Sequence, residues 1–145
     1  MACHRPAPRL AEQLIWFITS DRTGDDGPPF AYTVGLFGLN HPELLIFDVA
    51  PQKAATVLNE LGERVRAGES FLPGMTIESE GWDREIVIEH VPNPGEIVLT
   101  ANDYYRRPPE VSVPVIQVTY CDDQGSFPWE AGCRKDQPRP GTFRA

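Results

Sequence analysis

Between residues 30 and 49 the hydrophobic pattern of the chain passes from alternating to continuous, and this constrains the fold more than any other stretch. Phe30, Tyr32, Val34 and Leu36 alternate with Ala31, Thr33 and Gly35, the period-two pattern of a strand with two different faces. One face is large and apolar; the other is built of small residues. After a turn over residues 38–42, the segment 43–49 (ELLIFDV) is apolar almost throughout. Such a run suits a strand covered on both faces and therefore central in its sheet. Pro51 follows, well placed at a first helical position, with Ala54, Val57, Leu58, Leu61 and Val65 at helical spacing and Gly68 as the stop.

The remaining elements are read in the same way. Residues 14–19 (LIWFIT) favour a strand, and 21–29 (DRTGDDGPP) form a turn cluster before 30–37. Residues 75–80, 85–91 and 113–120 read as further strands. Asn93-Pro94-Gly95-Glu96 has the form of a helix start, and Ile97, Val98, Ala101, Tyr104 and Tyr105 line one face of the helix that follows. Closely spaced strands require antiparallel pairing, so the expected class is α+β: a mostly antiparallel sheet of about six strands with two helices packed on it. A chain of 145 residues fits a single domain, with an expected core over 10–131 and extended or flexible ends at 1–9 and 132–145.

Charge excludes one class of partner. A net charge of −8 opposes nucleic acid, whose backbone calls for a basic face. No apolar run approaches the roughly 18 residues that would suggest a membrane span. Three cysteines (Cys3, Cys121 and Cys133) form no paired framework, which points to a reduced, cytoplasmic setting. The cysteines and histidines lack metal-ligand spacing, so no metal site is expected. A G-x-S-x-G elbow and a glycine-rich phosphate loop are also missing.

Several residues could carry chemistry. His41, in the turn between two strands, is a candidate general acid–base, set against a structural role in holding the turn. Thr33 lies on the small-residue face, where a ligand or a helix can come close. Tyr104, Tyr105, Arg106 and Arg107 combine stacking faces with guanidinium forks suited to phosphate or carboxylate. The bland alternative is an apolar stripe completed by tyrosines, with arginines answering the helix dipole. Trp129, with Glu130, is a candidate lid or edge cover. Gln117, inside an apolar strand, must be paired if buried.

Residues 28–36 (PPFAYTVGL) and 41–44 (HPEL), with Tyr104, Tyr105, Gln117 and the closing Gly125, Phe127, Pro128 and Trp129, carry a resemblance. On these motifs the chain resembles the bacterial DUF4262 family of small proteins over most of residues 14–138. That resemblance implies membership but brings no established activity. Relatives tend to place a glycine directly after the tyrosine pair, where this chain has Arg106-Arg107. The element order is also similar to that of split-barrel flavin-binding proteins and of suppressor-of-fused-like partner-binding modules.

Three functions follow for testing. The leading one is a non-enzymatic module binding a small molecule or a protein partner. The alternatives are a flavin-binding oxidoreductase-like protein, with Thr33, Arg106 and Arg107 on the phosphate, and a cofactor-free acid–base enzyme using His41. The sequence names no cofactor, and exposed strand edges leave a homodimer open.

Overall fold

In the computed structural model, residues 16–19, 29–80, 82–122, 124–130 and 137–141 are described. The strands are β1 Trp16–Thr19, β2 Phe30–Val34, β3 Glu43–Phe47, β4 Thr76–Ser79, β5 Trp82–His90 and β6 Val115–Tyr120. They form one sheet in the order β1-β2-β3-β6-β5-β4. Four of the neighbouring pairs are antiparallel, and β3 pairs with β6 in parallel. The class is α+β, as expected, with that parallel pair making the sheet mixed. The continuous apolar run does lie inside the sheet, flanked by β2 and β6.

Two cores result, one on each face. Helix α1, Pro51–Arg66, buries Ala54, Val57, Leu58, Leu61 and Val65. They pack with Ala31, Leu44, Ile46, Ile86, Ile88, Ile116 and Val118. The small Ala31 thus leaves room for a helix. On the opposite face Phe30, Tyr32, Val34, Leu45 and Phe47 pack with Ile97, Val98, Ala101 and Val113 around helix α2, Leu99–Tyr105. The alternation of β2 therefore separates two cores rather than a core from solvent.

Two elements depart from expectation for local reasons. The strand expected over 30–37 ends at Val34, because Gly35 turns to φ 143° and residues Leu36–Leu39 wind into a 3-10 turn. The helix expected from residue 94 divides into a 3-10 turn, Pro94–Glu96, and α2. Asn93 supplies no side-chain cap; the Tyr32 hydroxyl instead accepts the Thr100 N–H at 2.9 Å in the first turn of α2.

Gly95 is where the backbone cannot carry a side chain. A Cβ there would sit 2.2 Å from the Pro109 carbonyl oxygen. Gly95→Ala must separate two backbone segments, and we expect it to destabilise by about 2 kcal/mol. A loss below about 0.5 kcal/mol in urea unfolding would contradict this close approach.

The ends are only partly described. The expectations for residues 1–9, 14–15, 21–28, 132–136 and 142–145 lie outside the described residues. Gln137, Pro138 and Arg139 lie against β6 and β5. The Gln137 side-chain amide pairs with the main chain of Tyr120 in both directions, at 3.0 and 2.8 Å, and the Pro138 carbonyl accepts from Gln117 Nε2. Arg139 forks onto Glu89 with two bonds of 2.8 Å. Among the described residues no helix is long and apolar enough to cross a membrane.

Candidate functional site

The turn after β2 is organised by a buried carboxylate. Glu43 heads β3 and is 0% exposed. Its Oε1 accepts the Thr33 hydroxyl at 2.6 Å and the Leu36 N–H at 3.2 Å; its Oε2 accepts the N–H groups of Gly35 at 2.9 Å and Phe37 at 3.0 Å. Thr33 Oγ1 in turn accepts the Leu44 N–H at 3.0 Å. Burial pushes the Glu43 carboxyl up from its ordinary value, while the Thr33 hydroxyl and the three amides pull it back. Both oxygens receive only donors, so the ionised form fits the site.

His41 closes the other end of the same turn. It is 5% exposed, and both ring nitrogens are engaged. Nδ1 lies 2.8 Å from the Pro42 carbonyl and Nε2 accepts the Phe71 N–H at 3.0 Å, which assigns the proton to Nδ1. Burial lowers its pKa, with the Pro42 bond opposing. The hydroxyls of Tyr32, Tyr105 and Tyr120 are bonded elsewhere: to Thr100 N–H, to Gly38 N–H, and to the Phe47 and Asp48 carbonyls.

Above the carboxylate the turn meets the end of α2. The Gly38 N–H donates to the Tyr105 hydroxyl at 3.2 Å. Burial and then the Glu43 charge raise the Tyr105 pKa to about 12, which keeps the phenol protonated at neutral pH. The Tyr105 ring stands edge-on to Phe37 at 4.9 Å and to Tyr104 at 4.8 Å. The Arg107 guanidinium lies over the opposite partner, Phe37, at 5.1 Å, and its Nε donates to the Val111 carbonyl at 2.8 Å. Tyr104 is 41% exposed.

The expected site residues therefore divide. Tyr104, Tyr105 and Arg107 come together with Phe37 and Gly38 in one corner, and Arg106 is adjacent in the chain. Thr33 lies beneath it, wholly buried and bonded to Glu43. Trp129 belongs to a different cluster: its ring stacks on Phe127 at 4.8 Å and under Arg139 at 5.0 Å. Glu130 accepts the Phe127 N–H at 2.7 Å, closing its own turn.

Sequence comparison agrees with the motif. The family model for a domain of unknown function (DUF4262) matches residues 11–134. The chain belongs to the DUF4262 family. No curated protein and no solved structure matches it at a significant level. In this DUF4262 chain the described part of the first motif, residues 29–44, is the Glu43 cradle together with the strands that flank it.

Two residues of the candidate site in this DUF4262 chain escaped the sequence reading. Glu43 reads there as the polar first residue of an apolar strand, and Phe37 as a strand position. The available signal was a carboxylate placed just after a glycine-rich turn, where unpaired backbone amides need an acceptor. Position 106 is also explained. It caps α2 in the left-handed conformation, φ 57° and ψ 48°, which glycine adopts at least cost. We expect Arg106→Gly to raise stability by about 1 kcal/mol, read from the shift in urea midpoint; a destabilisation would contradict the cap assignment.

Proposed function

We propose that this protein is a non-enzymatic binding module whose contact surface is the corner formed by Phe37, Gly38, Tyr104, Tyr105, Arg106 and Arg107. One observation carries the reading. The hydrogen-bonding atoms of the two buried acid–base groups of the motif, His41 and Glu43, are bound to the protein's own backbone and to Thr33. Groups held in this way brace a turn. What they brace is a surface of aromatic rings and guanidinium groups, the side chains most enriched at protein contact sites.

The test is amide-resolved NMR of the labelled protein titrated with flavin mononucleotide, nucleotides, organic acids and pooled peptides. A binding ligand should shift the amides of Phe37, Gly38 and residues 104–107 first, without being turned over. A purified protein that is yellow with bound flavin would overturn the reading in favour of an oxidoreductase. Turnover of a ligand without any cofactor would overturn it in favour of an acid–base enzyme using His41.

A further inference from the structure

The chain has 21 acidic and 13 basic residues, so carboxylates outnumber the cations that could pair with them. Among the described residues, Arg64, Arg66, Arg84 and Arg139 each have a carboxylate in ion-pair contact. Arg106 and Arg107 have none. Asp103 and Glu110, their nearest carboxylates along the chain, pair with neither. The two unpaired arginines are thus consecutive: Arg107 lies over Phe37 in the aromatic corner, and Arg106 precedes it at the cap of α2.

Each is also placed in a way that favours an external partner. Arg107 is fixed by its Nε bond to Val111 and by its stacking on Phe37, so its terminal nitrogens are held in position without being used. A pre-ordered fork loses less entropy when it binds a carboxylate. Arg106 is exposed and occupies a left-handed backbone position, against the preference of its own backbone. Beside them the Tyr104 ring offers apolar area at 41% exposure.

We propose that this corner docks a short segment of a partner protein in which a carboxylate neighbours an aromatic or aliphatic side chain. The carboxylate meets the two guanidinium groups and the apolar side chain covers Tyr104. This rests on the binding reading above and supplies its ligand class. A peptide fits better than the other anions. A nucleic-acid strand would run on from two arginines over an acidic surface, whereas a short segment stays within about 8 Å, the screening distance at physiological salt. A small metabolite is normally held in a concave site, while open tyrosine and arginine side chains are the mark of protein contacts.

The test uses rhodamine-labelled octapeptides carrying Asp or Glu beside Trp, Phe or Leu, each with an Asn or Gln counterpart, read by fluorescence anisotropy. Acidic members should bind about tenfold tighter than their amide counterparts, and raising salt should weaken them. Arg107→Ala and Arg106→Gly should each lose about tenfold. The second variant is expected to melt higher than wild type, so its loss cannot come from misfolding. Equal binding of acidic and amide peptides, no binding by the acidic panel, or indifference to both arginine changes would overturn the proposal. Displacement of the peptides by inorganic phosphate or an oligonucleotide at equal concentration would also overturn it, reassigning the site to free anions or nucleic acid. If the panel fails while other ligands still shift the corner amides, the ligand class falls and the binding reading stands. If ligands shift amides elsewhere, both fall.

Discussion

Glu43→Ala will cost about 4 kcal/mol of folding free energy, among the largest losses available to a single substitution in this chain. The size of the loss follows from what the carboxylate leaves behind. Three backbone N–H groups and the Thr33 hydroxyl all point at its two oxygens, and the Leu36 amide and Thr33 are buried. An alanine offers none of them an acceptor, and each orphaned donor costs about 1–3 kcal/mol where water cannot reach it. Removing the carboxylate also lifts its own desolvation cost, which keeps the total below the sum of the parts. Glu43→Gln should cost about 2 kcal/mol, because one oxygen remains while the amide nitrogen faces donors. Urea unfolding of both variants checks the order. A loss below about 1 kcal/mol for the alanine variant would mean that the turn holds itself without the carboxylate.

His41→Ala is expected to cost about 3 kcal/mol at pH 8, and the cost should depend on pH. The ring accepts the buried Phe71 N–H, is bonded to the Pro42 carbonyl, and packs edge-on to Phe71 at 5.9 Å. Its pKa in the folded chain lies below its ordinary 6.5, with burial the largest cause. For a base whose folded pKa is depressed, the unfolded chain takes up the proton first. The stability contributed by neutral His41 is therefore complete above pH 6.5 and is lost as pH falls from there through the folded pKa. Glu43 acts with the opposite sign, because burial raises its pKa: its contribution is complete below its ordinary value and declines as pH rises through the folded one. The difference in unfolding free energy between wild type and His41→Ala isolates the histidine. It should shrink as the pH is lowered from 7 towards 5. A gap that stays constant over that range would contradict a neutral, doubly bonded imidazole.

Much of the fold was legible because local pattern and tertiary environment agree. Alternation over 30–34, the continuous run from Glu43 and the apolar stripe of α1 each report which side of an element is covered. The parallel pairing of β3 with β6 was not legible, since it joins segments separated by a helix, two strands and a second helix. The broken helix near residue 94 depends on how closely Gly95 approaches Pro109, a contact that no local window contains. The docking of Gln137 on Tyr120 was hidden for another reason: a polar tail gives no hydrophobic signal, and its affinity for the sheet lies in a side-chain amide imitating a strand neighbour. At the candidate site, the nearness of the tyrosines to Arg107 could be read from the chain order. The role of Glu43 could not, because it arises from backbone amides freed by the turn, and those have no residue type.

The motif would then be a brace, a carboxylate that spends its four bonds to fix the shape of a turn. Amide hydrogen exchange at Gly35, Leu36 and Phe37 tests this most directly. These amides lie outside the strand ladders, and without an acceptor they would exchange like those of an ordinary surface turn. Bonded to Glu43, they should exchange at least about a hundredfold more slowly than the amides of an open turn, and Glu43→Gln should release at least one of them. Rapid exchange of all three in the wild-type protein would contradict the brace and, with it, the corner built upon it.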